Sequence, residues 1–202
     1  MSRPNPFNAK VTNVEPLSQG KWIQTRKIDY IDAAGNPRVW EMAVRTTQPE
    51  SGVDAVSVFS LLKGDGPARV VLVKQFRPPA NKVMIEMPAG LVDPNEKVEV
   101  TAERELYEET GYRGKCIRVT PMMFADPGLA NATMVMAQVE VDLTKPENQN
   151  PQQKLDDGEY IDVFTVSVNN FRHELDKLIA EGCAVDAKLY HFALGLEMGP
   201  TL

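Results

Sequence analysis

The sequence predicts an α/β protein: a mixed sheet with helices packed on it, preceded by an N-terminal β-hairpin. Three observations carry that reading. Apolar and β-branched runs recur between turn signals in the first half of the chain. A helical segment from Val98 to Thr110 closes on Gly111, and two further helices finish the chain, split by Gly182. The order strands, helix, strands, helices gives a layered α/β sandwich rather than separate all-β and all-α halves.

The elements follow in order. Residues 1–19 contain Pro, Asn and Ser with little periodicity and read as a flexible, partly disordered arm. Trp22–Tyr30 and Arg38–Thr46 read as strands, and the turn between them has Gly35 available for positive φ. Residues 20–50 therefore form a hairpin segment. A lone hairpin is marginal in water, so something else must cover it. The main domain, 51–202, opens with Val53–Leu62 and Arg69–Phe76, separated by the turn residues from Lys63 to Pro67. Met84–Met87 is a short strand leading into Pro88-Ala89-Gly90. Thr133–Leu143 and Tyr160–Val168 alternate as strands, while Thr144–Gly158 is rich in Pro, Asn, Gln and Asp and reads as a long surface loop. Asn169–Glu181 and Val185–Met198 are the closing helices.

Composition narrows the function classes. With 202 residues and 43% hydrophobic content, the chain can build one sizeable core and an appended element. Net charge is −6 and no Lys/Arg block exceeds two residues, which argues against nucleic-acid and anionic-membrane partners. No apolar run approaches the length of a membrane span, and the Met1 end shows no signal-peptide pattern. Cys116 and Cys183 are widely separated and lack metal-type spacing, so they read as reduced core thiols of a cytoplasmic, or also nuclear, protein. His173 and His191 lie in helical sequence far from any partner motif and read as structural or solvated.

The chemistry concentrates in Gly90–Tyr112. Glu105, Glu108 and Glu109 fall within one arc of about 100° on the helix. Glu105 and Glu109 are a like-charged i,i+4 pair, unfavourable by roughly 0.2–0.5 kcal/mol. Glu108 and Glu109 also sit near the helix C-terminus, where the macrodipole disfavours anions. A hard divalent cation removes both objections, because Mg²⁺ takes carboxylate oxygens and shares itself with substrate phosphates. A solvated acidic face is the alternative, and spacing decides against it. Gly90, Glu96, Arg104, Glu105, Glu108, Glu109 and Gly111, each with odds of roughly one in fifteen, would coincide about once in 10⁸ starting positions.

That pattern resembles the Nudix box, G-x5-E-x7-R-E-U-x-E-E-x-G-U, with Tyr112 in the last apolar position. The resemblance implies a Nudix-type α/β/α sandwich that hydrolyses nucleoside diphosphates linked to another moiety, using Mg²⁺ or Mn²⁺. Within it, Glu105 and Glu109 are the expected metal ligands, with Glu108 beside them and the carbonyl of Ala89 as an extra oxygen. Arg104 and Glu96 are expected to hold the loop against the helix. Arg77, which ends a strand before Pro78-Pro79, offers a planar fork suited to phosphate.

A wider resemblance, from Gly20 to Met198, is to the eukaryotic ADP-ribose (ADP-sugar) pyrophosphatases. It rests on GKW at 20–22, RVWE at 38–41, VKQFRPP at 73–79, IEMPAGL at 85–91, ADPGL at 125–129 and DDGEY at 156–160. It implies that Trp22 and Trp40 sandwich adenine, and that Glu41 and Arg45 contact base and phosphate. It further implies that Arg77 clamps a phosphate, that Leu91 makes a backbone contact, and that Asp126 reaches the partner's site. Glu159 would approach metal and water from a mobile loop. The implied assembly is a homodimer with an exchanged N-terminal hairpin, cutting ADP-ribose or another ADP-sugar to AMP and a sugar phosphate. Glu159 and Glu108 both stand as candidates for the general base. The competing readings are a Nudix hydrolase of dinucleotides or oxidised nucleotides, and a non-catalytic ADP-ribose sensor.

Overall fold

The computed structural model describes residues 3–47 and 52–199. The first two residues of the expected arm, the end of the hairpin segment and the last residues of the main domain lie outside them. The strands are β1 (Lys10–Gln19), β2 (Ile23–Ile31), β3 (Pro37–Arg45), β4 (Ala55–Lys63), β5 (Arg69–Arg77), β6 (Lys82–Glu86), β7 (Ala89–Leu91), β8 (Lys115–Val119), β9 (Met123–Phe124), β10 (Thr133–Asp142), β11 (Asp162–Ser167) and β12 (Ala184–Val185). The helices are α1 (Val98–Thr110), α2 (Phe171–Ala180) and α3 (Ala187–Met198). Among the described residues no helix is long and apolar enough to cross a membrane.

Two compact units result: Met1–Asp54 with Met122–Met134, and Ala55–Pro121 with Val135–Leu202. In the first, β1, β2 and β3 form an antiparallel sheet in that order. The β2–β3 turn is set by Asp32, whose Oδ1 accepts the N–H groups of Ala34 and Asn36, both at 2.9 Å. The Asn36 N–H, followed by the Arg38 guanidinium, holds the Asp32 carboxyl down at about 2. Residues 122–134 pack back on this sheet. The Ala43 N–H donates to the Leu129 carbonyl at 2.9 Å, and the Trp40 indole N–H to the Gly128 carbonyl at 3.2 Å.

The arm expected over residues 1–19 is corrected here, since its second half is the strand β1. Two features hide that strand in the sequence. Its register shifts between Val11 and Asn13 and between Pro16 and Ser18, which breaks the two-residue alternation. All ten of its residues are also exposed, so no buried face imposes an apolar pattern. The hairpin's cover is thus partly internal: β1 flanks β2, and residues 122–134 attach to β3.

In the second unit the strand order is β12-β6-β5-β4-β10-β8, with β11 also pairing β5 and β7 pairing β4. The sheet is mixed, because β12 runs parallel to β6 while β5 is antiparallel to β4, β6 and β11. Val70 and Leu72 of β5 join Phe59, Ile85, Phe171, Leu175 and Leu189 in one apolar cluster against α2 and α3. Val71 and Val73, equally buried, alternate to the other face of β5, the side left for α1. Helices thus cover both faces, the sandwich that the element order predicts.

Candidate active site

Helix α1 spans the predicted residues because both of its ends have local causes. At the N-terminal side, Glu96 accepts a hydrogen bond from the Thr101 hydroxyl at 2.7 Å and a forked pair from Arg104 at 3.1 and 2.8 Å. At the C-terminal side, Gly111 adopts φ 76° and its N–H donates to the Tyr107 carbonyl, a left-handed stop that costs a residue with a Cβ. Gly90 is needed for space. A Cβ there would lie 1.8 Å from the Glu105 carboxyl carbon, so the Glu105 side chain packs directly on the Gly90 backbone.

The box side chains converge as a charged network. Arg104 reaches past Glu96 to the carboxylates of Glu105 at 2.8 Å and Glu108 at 3.0 Å, and its Nη2 donates to the Leu91 carbonyl at 3.2 Å. This company holds the Arg104 guanidinium well above its ordinary range, Glu96 contributing most, and Arg104 in turn lowers Glu96. Glu105 moves the other way, because burial outweighs the attraction of Arg104.

Glu109 is the extreme case. It is only 6% exposed, and its Oε2 accepts the Ala89 N–H at 3.1 Å. Burial, reinforced by the charges of Glu105 and Glu159, pushes its carboxyl up to about 8, against the pull of the Ala89 N–H and Arg77. A buried carboxylate at that cost fits a site built to receive positive charge. Among the described residues no three acidic, His or Cys side chains are grouped closely enough to hold a metal ion by themselves. An all-oxygen set that leaves room for water and substrate phosphates is nevertheless what Mg²⁺ uses.

Glu159 lies on the loop before β11. Its Oε2 accepts the Asp156 N–H at 3.0 Å, and its charge raises both Glu105 and Glu109, which places it within their electrostatic reach. Arg77 forms a two-point pair with Glu86, Nε to Oε1 and Nη2 to Oε2, both at 2.8 Å. Trp22, Trp40, Glu41, Arg45 and Asp126 belong to the N-terminal unit. Both tryptophans are more than half exposed, at 63% and 51%, so neither fills that unit's interior. The Lys21 ammonium stands 4.5 Å from the Trp22 ring centre.

Three contributors escaped the sequence reading. Glu86 shows only as one carboxylate at a strand end, although a cross-hairpin partner for Arg77 could have been sought on β6. Thr101 reads as an ordinary helical residue. Gln153 sits in the polar loop, yet its Nε2 donates to the Glu109 carbonyl at 2.6 Å and to the Ile161 carbonyl at 2.9 Å.

Known proteins bear on this site. A family model described as NUDIX domain matches residues 52–186. An uncharacterized Nudix hydrolase of Schizosaccharomyces pombe is 48% identical over 96% of this chain and 94% of its own. An ADP-ribose pyrophosphatase of Saccharomyces cerevisiae is 44% identical over 96% of this chain and 86% of its own. An ADP-sugar pyrophosphatase of Mus musculus is 39% identical, covering 96% of this chain and 89% of its own. A crystal structure of an ADP compounds hydrolase aligns with a TM-score of 0.63 at 18% identity over 96% of both chains, a likeness of fold. With the Gly90–Tyr112 box inside the matched region and folded as a loop, helix and glycine stop, the chain belongs to the Nudix family.

Proposed function

We propose that this protein is a Mg²⁺-dependent pyrophosphatase that hydrolyses ADP-ribose, and other ADP-sugars with it, to AMP and a sugar phosphate. The observation that carries the reading is the buried Glu109, in the last turn of α1 one turn on from Glu105 and hydrogen-bonded to the Ala89 N–H. Relatives named for ADP-ribose and ADP-sugar cleavage, alike over nearly the whole chain, support the choice of substrate. Glu105, Glu108, Glu109, Glu159 and the Ala89 carbonyl would hold the metal, which when bound neutralises pyrophosphate oxygens and makes water a better nucleophile.

The chain's own groups do the rest. Arg104 and Glu96 lock the box loop to the helix, so the carboxylates keep their places without reorganising. Glu159 and Glu108 are the candidates to take the proton from the attacking water, both being carboxylates beside the cluster. Arg77, oriented by Glu86, clamps a phosphate. Arg77→Ala is expected to raise KM for ADP-ribose by about 10–100-fold, the loss of a charged hydrogen bond, with a smaller change in kcat. Saturation curves check this, and an unchanged KM would leave Arg77 a partner of Glu86 alone.

The reading extends to assembly. We infer a homodimer in which the segment 20–50 is exchanged, with Trp22 and Trp40 stacking on adenine and Glu41, Arg45 and Asp126 lining the site. The exposure of both indoles supports it. A rate panel with Mg²⁺ on ADP-ribose, ADP-glucose and an 8-oxo nucleotide tests the substrate. ADP-ribose should be turned over fastest. Preference for the 8-oxo nucleotide would move the assignment within the family, and no turnover on any of them would overturn the ADP-sugar reading and favour the non-catalytic sensor.

A further inference from the structure

The loop carrying Glu159 is tied to the box helix at its base. Three contacts make the tie. Gly111 leaves room for the loop backbone, since a Cβ on it would lie 2.4 Å from the Gln152 nitrogen. The Lys154 N–H donates to the Glu108 carbonyl at 2.8 Å. The Gln153 side-chain amide donates to the carbonyls of Glu109 and Ile161, one on each side of the loop's neck. Helix ends leave their last carbonyls without intrahelical donors, and here the orphan carbonyls of Glu108 and Glu109 are both answered by consecutive loop residues. The intervening residues 155–160 then turn through Gly158 at φ 86° and present Glu159, which closes that turn with Asp156: its N–H donates to the Asp156 carbonyl at 3.1 Å and its carboxylate accepts the Asp156 N–H at 3.0 Å.

We propose that Gln153 is a positioning residue: it clips both ends of the 154–160 loop to the C-terminus of α1, so Glu159 meets the carboxylates of Glu105 and Glu109 in one geometry. The proposal rests on the reading of Glu159 as a group of the active site. A primary amide suits the task because its two N–H donors can serve two carbonyls at once. The resulting neck fixes the distance between an exposed loop residue and the buried end of the helix. Misplacing a catalytic group by about 1 Å can cost about 10²-fold, so a modest loosening at Gln153 would be felt in turnover rather than in binding.

Gln153→Met keeps the length of the side chain and removes both donors, and Gln153→Ala removes the side chain as well. With ADP-ribose and Mg²⁺, both are expected to lower kcat by about 10–100-fold, as losses of groups that orient reactive ones do, with KM within about twofold. Glu159→Gln should lower kcat further, and adding Gln153→Met to it should change nothing more, because two residues acting through one step are not additive. A readout independent of activity is tryptic cleavage after Lys154, expected to be faster in both Gln153 variants at unchanged melting temperature. If Glu159→Gln keeps full kcat, the reading of Glu159 falls and the proposal with it. If Glu159→Gln is impaired while Gln153→Met turns over like the wild type, or if the two losses multiply, Gln153 is an ordinary cap and the proposal alone is overturned.

Discussion

Glu109→Gln is expected to disable the protein and at the same time to make it more heat-stable in the presence of a chelator. Its activity should fall by about 10²–10⁴-fold, the range for losing a positioned catalytic group. The gain in stability follows from burial. The Glu109 carboxyl is raised from 4.5 in the unfolded chain to about 8 in the fold, so folding disfavours its charged form. Below pH 4.5 both states carry the proton and the group contributes nothing. As pH rises from there to about 8, the unfolded state ionises first, and the folded state loses stability at ~1.4 kcal/mol per unit of difference. Above pH 8 the penalty is fully present. A glutamine keeps the shape and can still accept the Ala89 N–H, but carries no charge to bury. With EDTA, the variant should therefore melt above the wild type at pH 9 and together with it near pH 4.5. Added Mg²⁺ should reverse the order at pH 9, since a ligand that binds only the folded state stabilises it. Activity within tenfold of wild type would refute the ligand role, and superimposable melting curves at pH 9 would refute the buried charge.

The box was legible because its residues answer to local rules. Alternating strands, a helix and a glycine stop depend on near neighbours, so α1 and Gly111 can be placed from spacing alone. The parts that escaped depend on pairing across sequence distance. Strand β1 has no buried face, and its two register shifts and Pro16 erase the period by which a strand is found. β7, β9 and β12 are two or three residues long and exist only as pairings with β4, β10 and β6. Residues 122–134 lie far along the chain yet cluster with the N-terminal sheet, through contacts such as Leu129 with Ala43, which no local pattern announces. Glu86 and Gln153 show the same limit within the site. Each is a common polar residue whose meaning comes from the partner it meets, Arg77 in one case and two carbonyl groups in the other. The carboxylates, and the Arg104–Glu96 lock inside the box, could be named in advance, but the partners that meet them from far along the chain, such as Gln153, could not.

Mixing Trp22→Ala and Trp40→Ala subunits should restore adenine recognition that neither variant has by itself. The reason is a distance along one sheet. Trp40 lies opposite Ile28, while the Trp22 carbonyl accepts the Thr46 N–H beyond the other end of the β2–β3 pairing. Six residues separate Trp22 from Ile28 on the same strand path, about 20 Å at ~3.3 Å per residue. An adenine stacked between two indoles needs ring planes about 7–8 Å apart, twice a carbon–carbon contact. Side chains on a sheet stand roughly perpendicular to it, and Trp40 is further tied to Gly128. One hairpin therefore cannot close its two tryptophans on one base, and the proposed exchange answers this by pairing Trp22 of one subunit with Trp40 of the other. Each single variant should lose about 1–3 kcal/mol of affinity for its missing stacking face, seen as a raised KM for ADP-ribose at unchanged dimer mass. When the two are co-refolded in equal amounts, half the dimers are mixed, and each mixed dimer has one site with both tryptophans and one with neither. About a quarter of all sites should then regain wild-type affinity by the symmetry of a two-fold dimer. Titration would show this as a distinct tight-binding fraction. If mixing produces no such fraction although mixed dimers form, the tryptophans of one chain serve one site or none, and the exchanged hairpin loses its functional reason.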